Sequence, residues 1–409
     1  MKKRMLSIAL IAMLVLAGCT EQADRPVTLT FWTTTQSAET EFFANRIAQF
    51  QQEHPNIKVE IAEVPFNSAT NQFKTAILGN QTIDIFRADN SWIPEYADLG
   101  ILYPLTAVAG TGDLESYIDS AIRSAQYQGI QYGLPTVMEA PALLYNKRLL
   151  KEAGFEQAPQ TMEEMLAAAK AVTSKDRYGL FLTDDSYFAL PYLWAFGGGT
   201  MTDDRQIEIA SDNSRQAFEF MISLRQKGVT QPYPDFSDGY NNMMRDFKDG
   251  KAAMIINGPW AVSDILSGTE FQNPDNLGIA PVPKGPGGQG SPVGGHSLVV
   301  SKYSEHPQES YELIRYLTNT ESQLIQSQML KTLPTQKSAY EDAVLATDPI
   351  IQGFKAQLDA AKARPAIPEG AQMFTDFTPN LSAMLLELQT VDEGVRKIED
   401  SWKKLLKIN

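Results

Sequence analysis

Strand and helix alternate from residue 27 onward, and that order constrains the fold more than any single residue does. Val27–Trp32 (VTLTFW) has strand composition. Phe42, Phe43, Ile47 and Phe50 then recur at helical spacing within 39–52, and His54-Pro55 stops the helix. Ile57–Val64 (IKVEIAEV) alternates as a half-buried strand, a short helix is expected around Phe73–Leu78 before Gly79-Asn80, and Ile83–Phe86 reads as a third strand. Parallel neighbours need a crossover between them, so this β-α-β-α-β order implies a mostly parallel sheet with helices on its faces. The pattern recurs with strands at Leu143–Tyr145, Tyr178–Leu182, Ala253–Asn257, Leu277–Val282 and Ser297–Ser301. Helices are expected over Thr161–Ser174, opened by a Thr161/Glu164 capping box, and over Ser211–Lys227. After Pro307 the chain reads as nearly all helix, ending with Val391–Leu406. No fixed-period repeat argues for a solenoid or propeller, and 409 residues fit two domains.

A formal charge of −14 argues against a nucleic-acid partner, which needs clustered Lys and Arg to displace phosphate counterions. A single cysteine excludes an intrachain disulfide and a Cys-rich metal site. Lys2, Lys3 and Arg4 precede an apolar stretch, Leu6–Ala17, that has the length of a signal-peptide h-region and is too short to span a bilayer. It ends in Leu16-Ala17-Gly18-Cys19, which resembles the bacterial lipobox. The expectation is a signal peptide over 1–18, cleavage before a lipidated Cys19, and a polar tether over 19–26. The protein would then sit outside the cytoplasm, anchored by lipid. Cleavage removes three basic residues and no acid, taking the charge to −17.

Catalytic and cofactor signals are weak. Gly250-Lys251 is followed by Ala252 and lacks the upstream glycine of a P-loop, so the chain itself is not expected to hydrolyse ATP. His54, His296 and His306 are far apart and read as solvated loop residues; no metal, cofactor or nucleophile motif stands out. Gly285–Gly290 (GPGGQG) reads as a surface turn. What remains is aromatic rings beside carboxylates, the pairing that takes the apolar faces and hydroxyl rims of sugars. It occurs around Asp89 and Trp92, around Glu139, around Asp185 and Tyr187, and at Asn257-Gly258-Pro259-Trp260. Most of these segments follow predicted strands, where open α/β sheets collect ligands.

YGLPTVMEAPALLYNKRLL (Tyr132–Leu150) and FKDGKAAMIINGPWAVSDI (Phe247–Ile265) resemble signature stretches of the maltose-type solute-binding proteins of ABC sugar importers. VTLTFW, IDIFRAD and the helical tail are similar to the same family, so the likeness runs through nearly all of the mature chain. The resemblance implies two α/β lobes closing over a sugar, with 27–137 plus 282–327 forming lobe 1 and 138–281 plus 328–409 forming lobe 2. Crossings are expected near Val137, Ala280–Val282 and Ile325–Leu333. The resemblance also implies that Trp260 stacks on a glycosyl ring, that Glu139 accepts sugar hydroxyls, and that Asp185, Tyr187 and Asp89 match further sugar-binding positions. Arg87 stands where the family pattern has an aromatic, and Trp92 supplies the ring later in the segment. The neutral pair Gln36-Ser37 replaces an acidic–basic pair, and Phe374 or Phe377 stands for a late stacking tryptophan.

The implied protein is a monomeric, non-enzymatic carrier of a di- or oligosaccharide, either maltodextrin or trehalose-like. Its partners would be permease subunits and a separate ATPase. Two alternatives share the same residues. One is a glycoside hydrolase using Glu139 and Asp185 as acid and base; the other is a sugar-sensing receptor module.

Overall fold

The computed structural model describes residues 26–34, 37–110, 112–202 and 205–408. The signal peptide, Cys19, most of the tether and Gln36 lie outside them.

The first sheet is built as the alternation predicts. Strand β1 (Val27–Thr33) pairs in parallel with β2 (Ile57–Glu63) and β3 (Ile85–Asp89). The crossovers are helices α1 (Ser37–Glu53) and α2 (Phe66–Leu78). Phe42, Phe43, Ile47 and Phe50, all buried, carry α1 onto the sheet. Two further strands complete it, β4 (Gly133–Glu139) and the later β9 (Gly294–Val300), giving the order β2-β1-β3-β9-β4. The second sheet has the order β8-β5-β7-β6, from β5 (Ala142–Asn146), β6 (Tyr178–Leu180), β7 (Ala252–Asn257) and β8 (Leu277–Ala280).

Each sheet contains one reversed strand, and each reversal follows a crossing between lobes. β4 runs out of the first sheet and, after Ala140-Pro141, continues as β5, antiparallel to both β7 and β8. β8 leaves the second sheet, and the chain re-enters the first as β9 (Gly294–Val300), antiparallel to both β3 and β4. The sheets are therefore mixed with a parallel majority, because a strand that crosses straight on enters its new sheet against the grain.

Helices α3 (Met162–Val172), α4 (Ser186–Ala195), α5 (Asp212–Gln226) and α6 (Gly239–Lys248) surround the second sheet. Thr161 caps α3 by accepting from the Glu164 amide at 3.1 Å, but the Glu164 carboxylate reaches the Gln160 amide, one residue before the position a reciprocal box requires. Helices α7 (Pro307–Leu317) and α8 (Thr320–Leu330) cover the first sheet. The chain then passes to the second lobe for α9 (Pro349–Leu358), α10 (Gly370–Leu385) and α11 (Val391–Leu406). Crossing segments are bonded to one another. The Met138 amide donates to the Leu333 carbonyl at 3.1 Å, and the Thr335 hydroxyl donates to the Pro135 carbonyl at 2.7 Å. Among the described residues, no helix is long and apolar enough to cross a membrane.

Candidate ligand site between the lobes

β3 and β4 end, and β9 begins, at the junction between the lobes, and the residues there meet. Asp89 closes β3 and Glu139 closes β4; His296 lies on β9 in register with Asp89, one residue after the Gly295 that opposes Met138. Glu139 is 3% exposed; its Oε2 lies 3.3 Å from His296 Nδ1, out of hydrogen-bond alignment, and its Oε1 has no partner. Both His296 ring nitrogens are likewise unpartnered. This corrects the reading of His296 as a solvated loop residue. It is a strand residue with a largely buried side chain, placed between two carboxylates.

Asp89 takes the Ser91 amide at 2.7 Å and the Ser91 hydroxyl at 2.6 Å on one oxygen, and Arg364 Nη2 reaches that oxygen at 3.3 Å. Burial alone would raise the Asp89 carboxyl. The Arg364 guanidinium, His296 and the Ser91 donors outweigh it and hold the pKa below the usual 3.8. Arg364 comes from the segment between α9 and α10, which is fixed where the Lys362 amide donates to the Ser291 carbonyl and the Val293 amide to the Lys362 carbonyl, both at 2.8 Å. Its guanidinium lies 5.2 Å from the centre of the Tyr187 ring, and its Nε is buried without a partner.

Tyr187 and Asp185 belong to the start of α4. Asp185 caps that helix by accepting from the Tyr187 amide at 2.8 Å, and desolvation raises its pKa despite that bond. Burial also pushes the Tyr187 hydroxyl up, against the pull of Arg364. The phenol presses on Gly294, where a Cβ would come within 2.8 Å of its oxygen, so glycine lets the second lobe touch β9. Trp260 follows β7; a Cβ on Gly258 would meet its ring at 1.9 Å, so the indole lies flat on that glycine. The indole N–H donates to the Tyr240 hydroxyl at 3.1 Å, which anchors it from α6.

Two expected platforms lie elsewhere. Trp92 is 6% exposed and packs among Phe86 and Tyr96 in the first lobe's core. Phe377 is 0% exposed and meets Phe218 and Trp402 edge to face within the second lobe's core. Both rings are buried, leaving little surface for a ligand. Phe374, one turn earlier on α10, is partly buried and lines a cavity of about 20 Å³ with Ser91 and Arg364. That space holds roughly one water, and the lobes touch beside it through Arg364 on Asp89 and Tyr187 on Gly294. Arg87 is a packing residue too, 2% exposed and paired with Glu39 on α1 at 2.9 Å.

The structure thus gathers Asp89, Glu139, Asp185 and Tyr187, with Trp260 and Phe374 on the second-lobe side. It adds Arg364, His296 and Tyr240, which the sequence reading passed over. Arg364 sits in a stretch without periodicity, and only the His296–Asp89 register reveals the histidine. Among the described residues, no group of three or more His, Cys, Asp or Glu could hold a metal ion.

Residues 45–353 match the family of bacterial extracellular solute-binding proteins. The maltotriose-binding protein of Pyrococcus abyssi (strain GE5 / Orsay) is 24% identical over 348 residues, covering 83% of this chain and 73% of that one. The galactooligosaccharide-binding protein of Bacillus subtilis (strain 168) is 27% identical over 359 residues, covering 85% and 81%. Among solved structures, the GacH receptor of Streptomyces glaucescens, described unliganded and in complex with acarbose, superposes with a TM-score of 0.89 at 35% identity, covering 93% of this chain and 98% of that one. Maltose-bound T. maritima MalE3 gives 0.85 at 25%, covering 93% and 100%. A match over that span, on two lobes with polar groups converging between them, makes this chain a member of the bacterial extracellular solute-binding proteins.

Proposed function

We propose that the chain captures a di- or oligosaccharide of the maltodextrin or trehalose kind between its lobes and delivers it to an ABC permease driven by a separate ATPase. The observation that carries this reading is the set of buried, unpartnered polar atoms at one place: Glu139 Oε1, both His296 nitrogens and Arg364 Nε. A buried polar group without a partner costs about 1–3 kcal/mol, and sugar hydroxyls supply donors and acceptors at matching density. Trp260 is the second-lobe platform, with Asp185, Tyr187 and Phe374 beside it and Asp89 opposite. The relatives named for maltotriose and galactooligosaccharide support the ligand class.

Lobe 1 is taken as 27–137 plus 282–327 and lobe 2 as 138–281 plus 328–409. The ligand favours closure through its greater affinity for the closed pair, and the closed outline is what the permease recognises. The chain acts as a monomer without turnover, tethered outside the cytoplasm by lipid on Cys19. Isothermal calorimetry with a panel of mono- and oligosaccharides tests the reading. One oligosaccharide should bind at one-to-one stoichiometry, and Trp260→Ala should weaken it at least tenfold. A panel in which nothing binds, or glucose released from maltotriose, overturns it.

A further inference from the structure

We infer that Phe66, flanked by His296, is the first lobe's platform for the apolar C–H face of a pyranose ring, in the role the sequence suggested for Trp92; the inference rests on the sugar-binding reading above. A ladder of rings rises from the core of the first lobe. Phe73 stacks on Phe86 at 4.3 Å and 8°, Phe86 on Trp92 at 6.1 Å and 14°, and Trp92 meets Phe66 at 5.1 Å and 33°. Exposure changes abruptly along it: Phe73 and Phe86 are 0% exposed, Trp92 6%, and Phe66 46%. The last ring is therefore held by the one below it and offers its outer side to solvent.

Its place in the molecule gives that exposure a meaning. The Phe66 ring lies 6.0 Å from the His296 ring, at 69°, and His296 is the residue beside Glu139. An apolar ring, an imidazole with both nitrogens unpartnered and a carboxylate with one free oxygen thus adjoin in space where the first lobe meets the second. A pyranose seated with its C–H face on Phe66 turns its edge hydroxyls toward His296 and Glu139: the carboxylate accepts from one, and an imidazole N–H donates to it or its neighbour. An exposed ring with no polar neighbours would carry no such assignment. Phe66 opens α2 directly after Pro65, whose fixed φ of −58° sets where the helix starts and so where the ring projects.

The test is calorimetric titration of the full chain with maltotriose, or with the panel sugar that wild type binds best. Phe66→Ala should weaken binding about tenfold, which is about 1.4 kcal/mol. Phe66→Leu keeps apolar packing on Trp92 but has no flat face, and should lose nearly as much. Phe66→Tyr should stay within about threefold of wild type, as should Trp92→Phe, a substitution confined to the core. Unchanged thermal midpoints separate a lost contact from a lost fold. Phe66→Ala binding within twofold of wild type, while Trp260→Ala fails, overturns the platform and leaves the sugar reading standing. Trp92→Phe losing as much as Phe66→Ala, at an unchanged midpoint, returns the role to Trp92 and also overturns the proposal. A wild type that binds no sugar removes both.

Discussion

Aromatic rings at similar sequence positions do different work here, and exposure decides which. Phe374 and Phe377 lie one turn apart with centroids 6.5 Å apart and border the same small cavity, yet Phe377 is fully buried against Phe218 and Trp402 while Phe374 is only partly buried. Phe377→Ala should therefore cost about 3–5 kcal/mol of unfolding free energy, read from urea denaturation. Phe374→Ala should leave the urea midpoint nearly in place and weaken sugar binding. Equal losses of stability in the two variants would contradict this division. Gly258 makes the same point from below. Any Cβ there collides with the Trp260 ring, so Gly258→Ala should reduce affinity severalfold through a displaced platform, although the new methyl group itself touches no ligand. The sequence showed that rings cluster near carboxylates. It could not show which ring faces the cleft, because a core ring and a ligand ring have the same composition and the same helical spacing.

At the scale of elements, the legible ones had a period and the illegible ones did not. β1, β2, α1 and α5 have one buried side and one wetter side, so their hydrophobic pattern announces them. β4 is buried at every position and contains Pro135, so it shows neither alternation nor an uninterrupted strand composition. α4 is buried nearly all round and has Pro191 inside it, and for the same reason it shows no helical period. Its N-cap separates two roles of one residue. Asp185→Ala should cost about 1 kcal/mol of stability by leaving the Tyr187 amide unpaired, whereas Asp185→Asn keeps an acceptor and should hold stability within a few tenths. If Asp185→Asn nevertheless weakens sugar binding, the carboxylate's charge matters to the ligand; thermal melts and calorimetry on the two variants check both statements.

Across the whole molecule, the Asp89–Arg364 pair joins the end of a first-lobe strand to the second lobe's tail, so it contributes only while the lobes are closed. Arg364→Ala should open the ligand-free protein, seen as a larger radius of gyration in small-angle scattering, and saturating sugar should reverse the change. The pair also fixes the sign of a pH effect. The Asp89 pKa is depressed in the closed form, so its contribution is present above the ordinary value of 3.8 and fades as pH falls through the depressed one. As pH falls from the ordinary 3.8 through the depressed value, the ligand-free protein should therefore shift toward the open form, and Asp89→Asn should abolish that part of the shift. A scattering profile independent of pH over that range would contradict it. By itself, the sequence determined the α/β alternation, most strand and helix positions and the sugar-like pairing of rings with acids. Those are local properties, carried by hydrophobic period, capping residues and composition within a few turns of chain. Only the tertiary structure decided that His296 stands between Asp89 and Glu139, that Arg364 crosses between lobes, and that Phe66 rather than Trp92 is the exposed ring. The first depends on register between strands far apart in sequence, where a one-residue slip would turn His296 to the opposite face, and the other two on contacts between segments far apart in the chain.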